Sequence, residues 1–229
     1  MNTFDTPSAF NALLASSIHD MKNSLGLVIN SLELFSKDSG QPLDNKQASL
    51  LQFEARRIND NLIKLLALYK SENNLLSVNI DEHDIDEFLE EVVAQESSIT
   101  AAKGIKLTTE CDNGLIGYFD IGLITGVLGN ALHNAIRHTK DSIHLVAQGN
   151  KDKSLVIKVI DNGPGINAAL TPYISPAAGT INHVSGGTGL GLHFCNIVAR
   201  LHANRNKQGY ISIENREDAS GAVFTIYLP

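Results

Sequence analysis

Leu14, Ile18, Met21, Leu25, Val28, Leu32 and Phe35 recur at alternating spacings of four and three residues, a sustained heptad seam. A strand cannot use that period, because its side chains change face at every residue. Thr6 offers an N-cap and Pro7 a first helical residue with φ already set, so a long helix is expected to begin there. The stretch 36–45, with Gly40 and Pro42, interrupts it. Ala48, Leu51, Ala55, Ile58, Leu62, Leu65 and Tyr69 then repeat the seam, and Leu50 and Leu66 widen it beyond a two-stranded zipper. Two helices alone enclose little core. The expectation is a homodimer in which two such hairpins form a four-helix bundle.

After a polar hinge at 71–74 the period changes. Leu75 to Ile80 reads as a short strand. Asp84, with Glu87 three residues on, resembles a capping box that opens a helix over about 85–102. Strand patterns follow at 105–110, 142–148, 155–160, 210–214 and 223–228, with helical patterns at about 121–138 and 189–202. This order predicts an α/β sandwich, one mixed sheet covered on one face by helices. The fold expected is therefore α plus α/β, with residues 1–74 as the helical hairpin and 75–229 as the second domain.

Charge and composition exclude several classes of function. With 18 basic against 25 acidic residues, the net charge of −7 argues against a nucleic-acid partner. It leaves a single nucleotide open, because backbone N–H groups, Mg²⁺ and one or two cations suffice to hold one. No apolar run approaches the about 18 residues of a membrane span, and the N-terminus lacks a signal peptide's basic start. No membrane insertion is expected. Cys111 and Cys195 fit neither a disulfide framework nor a zinc spacing, which points to a reduced, cytoplasmic setting.

The chemistry-bearing residues fall in three clusters. Asn130 and Asn134 stand one helical turn apart, with Arg137 three residues later on the same face, while Ile124, Leu128, Ala131 and Ala135 form the opposite stripe. An amide oxygen suits Mg²⁺ and an arginine suits phosphate, although two asparagines on a helix are more ordinarily a solvated face. Asp161 ends a strand and is followed by Asn162, Gly163, Pro164 and Gly165. A carboxylate there can accept a hydrogen bond from the exocyclic amine of adenine, but the same residues make a tight turn. Residues 185–192 then lead into a helix, with Gly187, Thr188, Gly189 and Gly191 exposing backbone N–H groups at its start. That stretch lacks the lysine of a P-loop and does not directly follow a strand.

In this order and spacing the three clusters resemble the ATP-binding fold of histidine kinases, Hsp90, DNA gyrase and MutL, across residues 76–229. The resemblance implies that Asn134 carries Mg²⁺, that Asn130 and Arg137 assist the phosphates, and that Asp161 reads adenine. It also implies that Gly163 and Gly165 shape the base pocket and that Gly187, Thr188, Gly189 and Gly191 hold the phosphate side. ATP and Mg²⁺ are the cofactors it implies.

Within the first seam, Ile18-His19-Asp20-Met21-Lys22-Asn23 resembles the phosphoacceptor box of histidine kinases. The imidazole of His19 is a nucleophile near neutral pH, and Asp20 can hold its Nδ1–H so that Nε2 faces the phosphate. By that resemblance His19 takes the γ-phosphoryl group and passes it to an aspartate of a response-regulator receiver domain. Asn23 would orient water for dephosphorylation of that receiver.

Two departures stand out. Ser24 replaces the usual proline after the box, and the stretch 166–185 contains no Phe, Lys or Arg. The second keeps an alternative open: a phosphotransfer or nucleotide-gated scaffold protein with little autokinase activity. Only 18 residues precede His19, so the stimulus is expected to come from a separate sensor or from one cut away upstream.

Overall fold

A computed structural model describes residues 21, 23–29, 45–73, 75–150, 152, 154–166, 190–217 and 220–229. Residues 23–29 are helical. Helix α1 spans Asn45–Glu72. It carries two different faces. Leu62, Leu66 and Tyr69, toward the seam side, are exposed, whereas Phe53, Lys64, Ala67 and Leu68 are buried against the rest of the chain.

Strand β1 (Asp81–Asp84) leads into helix α2 (Ile85–Lys103). The Asp84 carboxylate caps α2 by accepting from the backbone N–H groups of Asp86 and Glu87. At the other end Gly104 adopts φ +67° and closes the helix in the left-handed conformation. Next come β2 (Lys106–Cys111), β3 (Ile116–Phe119), α3 (Ile121–His138), β4 (Ser142–Gly149) and β5 (Leu155–Asp161). The chain ends with α4 (Leu190–Leu201), the short ribbon β6 (Ala203–Asn204) and β7 (Lys207–Gln208), then β8 (Tyr210–Asn215) and β9 (Ala222–Leu228).

The main sheet runs β2-β4-β5-β9-β8. It is mixed, with β2 parallel to β4 and the other pairs antiparallel. Side-chain alternation decides which face is covered. Leu155, Ile157 and Val159 are buried while Val156, Lys158 and Ile160 are half-buried, and the pairings Ala147–Ile157–Ile226–Ile211 carry the apolar row across the sheet. Helices α2, α3 and α4 lie on that face and close one continuous core with it. This is the α/β sandwich expected from the sequence, one mixed sheet covered on one face by helices.

One expected strand is absent. Residues 75–80 form no regular structure, and Leu75 and Ile80 are 65% and 47% exposed. The strand is instead β1, a polar Asp-Glu-His-Asp segment paired antiparallel with β3, from Asp81↔Phe119 to Asp84↔Ile116. Its order comes from backbone pairing and from the contact of His83 with Phe119, ring centroids 4.8 Å apart, not from an apolar stripe.

Candidate functional site

Helix α3 organises the site. Asp120 caps it, with Oδ1 accepting from Leu123 N–H at 3.0 Å and Oδ2 accepting from Asn79 N–H at 3.0 Å. The stripe Ile124, Leu128, Ala131 and Ala135 packs into the core, which sets the opposite flank toward the motif residues. Asn134, Arg137 and His138 are exposed there. The Arg137 guanidinium in the last turn suits the negative end of the helix dipole.

Asn130 does not share that openness. The sequence places it on one face with Asn134, but α1 and α4 cover the face at this level and leave Asn130 only 7% exposed. Its Oδ1 accepts from Lys64 Nζ of α1 at 3.0 Å, and its Nδ2 donates to Cys195 Sγ of α4 at 3.5 Å. Gly191, in the first turn of α4, presses on the same amide: a Cβ there would stand 2.1 Å from Asn130 Oδ1. Burial pushes the Cys195 thiol up to about 12, so it is a neutral group at pH 7. Burial likewise pushes the Lys64 ammonium below its ordinary value, with Arg57 adding to the effect and Cys195 and Asp60 opposing it.

The aspartate loop is built against the other end of α3. Asp161 Oδ1 accepts from the N–H groups of Gly163 at 2.8 Å and Ala222 at 3.4 Å, so Oδ2 is the oxygen with acceptor capacity to spare. Gly163 lies so near the helix end that a Cβ would meet the His138 carbonyl oxygen at 2.3 Å. Gly165 has φ +79°, and Asn215 brackets the following residue, accepting from Ile166 N–H at 2.6 Å and donating to its carbonyl at 3.0 Å.

Asn162 staples this loop down. Its Oδ1 accepts from Thr139 Oγ1 and from the N–H groups of Asp141 and Ser142, and its Nδ2 donates to Asp141 Oδ1 at 2.7 Å. The sequence reading overlooked Asn162 and Asn215, whose roles depend on partners far along the chain.

Among the described residues, α3 meets the Asp161 loop and the start of α4: Asn130 lies beneath Gly191, Asn134 is exposed, and His138 stands against Gly163. His19, Asp20, Gly187, Thr188 and Gly189 lie outside the described residues, and Asn23 is exposed on the helical residues 23–29.

A contact between α1 and α3 is not legible as such in the sequence. His133 of α3 is buried between Glu96 of α2, Nε2 to Oε1 3.2 Å, and Asp60 of α1, Nδ1 to Oδ2 3.6 Å. The Phe53 ring meets the His133 ring edge-on at 5.0 Å, and Lys103 Nζ stands 5.7 Å from the centre of the Phe53 ring. A signal did exist. Phe53, Arg57, Asp60, Lys64 and Ala67 repeat at spacings of four and three, a second stripe beside the seam in which three of the five residues are charged.

Residues 120–229 match the family model described as histidine kinase-, DNA gyrase B- and HSP90-like ATPase. The chain is 26% identical over 194 residues to the signal transduction histidine-protein kinase AfsQ2 of Streptomyces coelicolor, covering 83% of this chain and 34% of that protein. It is 25% identical over 224 residues to the sensor protein BasS of Salmonella typhimurium, covering 96% of this chain and 58% of that one. The chain thus spans less than two thirds of these relatives.

Among solved structures, the catalytic domain of histidine kinase ThkA superposes with a TM-score of 0.54 at 27% identity, covering 66% of this chain and 95% of that domain. The complex of ThkA with response regulator protein TrrA gives a TM-score of 0.61 at 21% identity, covering 97% of this chain and 62% of the matched chain; this likeness is one of fold.

Proposed function

We propose that this chain, which carries the catalytic core of a sensor histidine kinase, is a dimeric, ATP-dependent protein-histidine kinase. Residues 1–74 form its dimerisation and phosphoacceptor hairpin, and residues 75–229 its ATP-binding domain. The observation that supports the reading is the close approach of Gly163, in the Asp161 loop, and of Gly191, at the start of α4, to the helix that carries Asn130, Asn134 and Arg137. Asp161 then receives adenine through Oδ2, Gly163 and Gly165 let the base approach the backbone, and Arg137 faces the phosphates.

Mg²⁺ fits the donors available. Among the described residues no three His, Cys, Asp or Glu side chains converge to hold a metal, so the exposed amide of Asn134 would hold the ion together with nucleotide phosphate and water. When bound, the ion supplies charge neutralisation at the transferring phosphoryl group.

His19 Nε2 attacks the γ-phosphorus, the bond to ADP breaks, and Asp20 steadies the proton on Nδ1. The phosphoryl group then moves to a response-regulator aspartate, and in the phosphatase reaction Asn23 orients a water that hydrolyses that aspartyl phosphate, releasing inorganic phosphate. A homodimer is favoured by the apolar side chains left exposed in one copy: Leu25, Leu27 and Ile29 on the first helical segment and Leu62, Leu66 and Tyr69 on α1. The proposed setting is cytoplasmic, with the stimulus delivered by a sensor module. Among the described residues no helix is long and apolar enough to cross a membrane.

The test is autophosphorylation with γ-labelled ATP and Mg²⁺. Acid-labile label is expected on the wild type, absent from His19→Ala and lost from Asn134→Ala. Label that survives in His19→Ala overturns the acceptor assignment. ATP binding without label on the wild type favours the phosphotransfer or nucleotide-gated scaffold reading, which the unusual 166–185 segment motivates.

A further inference from the structure

Lys64 belongs to α1, outside the ATPase-family match of residues 120–229, yet its ammonium ends inside the site those residues build. The side chain is 5% exposed, and its Nζ donates to the neutral amide oxygen of Asn130 at 3.0 Å. A buried ammonium is costly unless an anion compensates it. The groups around it do so only in part: burial and Arg57 lower its pKa, while Asp60 raises it. The Cys195 thiol is neutral at pH 7, held up by burial. Asp60, one turn earlier on the same helix, is directed to His133. Arg57 adds a further positive charge nearby. Among the described residues Lys64 makes no ion pair.

Asn130, in turn, is packed beneath Gly191 at the start of α4, the turn to which the phosphate side of a nucleotide has been assigned. The stretch 166–185, which crosses from the aspartate loop toward that turn in sequence, supplies neither Lys nor Arg. Within the site the cation nearest Asn130 comes from the hairpin.

We infer that Lys64 is a nucleotide-binding residue, the phosphate-side cation of this site, delivered by α1 and aimed by Asn130. The inference rests on the nucleotide reading given above. The ammonium has three donors, so it can keep Asn130 and still reach a phosphate oxygen. Nucleotide phosphates and α1 then bind to the catalytic domain cooperatively, because each supplies the charge or the donor that the other lacks.

The test is calorimetric titration of the full chain with ATP plus Mg²⁺, ADP and adenosine, comparing wild type, Lys64→Met and Lys64→Arg. Met keeps the apolar stem and removes only the charge. Loss of a charged hydrogen bond to phosphate should weaken ATP and ADP by about tenfold or more in Lys64→Met. Adenosine should be unaffected, and Lys64→Arg should recover most of the loss.

Equal affinities for all three ligands in Lys64→Met and wild type overturn the inference. So does tighter ATP binding, which would make Lys64 a competitor of the phosphates. A matching loss of adenosine would reduce Lys64 to a structural role and overturn it as well. If the wild type binds none of the three, the nucleotide reading itself fails, a result distinct from wild-type binding without a Lys64 effect.

Discussion

At the residue scale the site depends on backbone that comes too close for a side chain. Gly163 meets the His138 carbonyl oxygen, and two main-chain segments held by the Asn162 staple have little room to part. Gly163→Ala should therefore destabilise the protein by about 2 kcal/mol or more. Gly129 is the contrasting case, because a Cβ there meets nothing within 4 Å and the residue sits inside a helix. Gly129→Ala should stabilise by about 0.5–1 kcal/mol. Urea unfolding of the two variants checks both signs, and a Gly163→Ala midpoint at or above wild type would sink the packing argument.

The glycines of the Asp161 loop stand out in the sequence because their type is unusual there. The amides that hold the loop do not. Asn162 is one more polar residue in a turn until Thr139 and Asp141 are brought beside it.

At the scale of elements, what could be read depended on what makes each element form. Helix α3 and strands β4, β5, β8 and β9 bury a periodic stripe, and their sequence patterns place them within about two residues of their observed ends. Strand β1 has no such stripe. It is polar, four residues long and ordered by pairing with β3, which no local pattern announces. The apolar residues just before it drew the reading to the wrong segment.

Helix α2 shows the opposite case, where a local signal carries real energy. Asp84 receives two N–H groups of the first turn at 3.0 and 3.2 Å. Asp84→Ala should cost about 1 kcal/mol, and Asp84→Asn or Asp84→Ser much less. Thermal unfolding of the three variants measures it. Equal midpoints for Ala and Ser would mean that the cap does not hold the helix.

At the scale of the whole molecule the layers are tied by contacts that a linear pattern cannot display. The heptad seam of α1 is a packing stripe legible in the sequence, but its second face, with Asp60 and Lys64, is too polar to read as a packing surface. That face nevertheless joins α1 to α3 and α4.

The link between α4 and α3 is similarly hidden and has a consequence for pH. His202, just past the end of α4, is buried. Its Nε2 faces the backbone N–H of Asp120 at 3.0 Å, and its Nδ1 faces the Val198 carbonyl at 2.7 Å. An N–H can only donate and a carbonyl can only accept, so the ring must be neutral with its proton on Nδ1. Burial lowers the pKa of His202, opposed by the Val198 carbonyl and by Asp120. The unfolded chain, with an ordinary value of about 6.5, then binds a proton at higher pH than the folded one. The stability tied to neutral His202 is complete above that value and is lost as pH falls toward and through the folded-state pKa.

Protonation would set an N–H of the ring against the N–H of Asp120, the residue that caps α3. Helix α3, which carries the proposed nucleotide residues, should loosen with it. Between pH 7 and pH 5 the unfolding midpoint of the wild type should fall and its affinity for ATP should weaken in parallel. His202→Gln, which starts less stable, should show a flatter decline in both. Unfolding and titration series at matched pH values decide it: parallel slopes in the two proteins would move the acid sensitivity to another group, and a flattened slope in the variant would place it at the junction of α4 and α3.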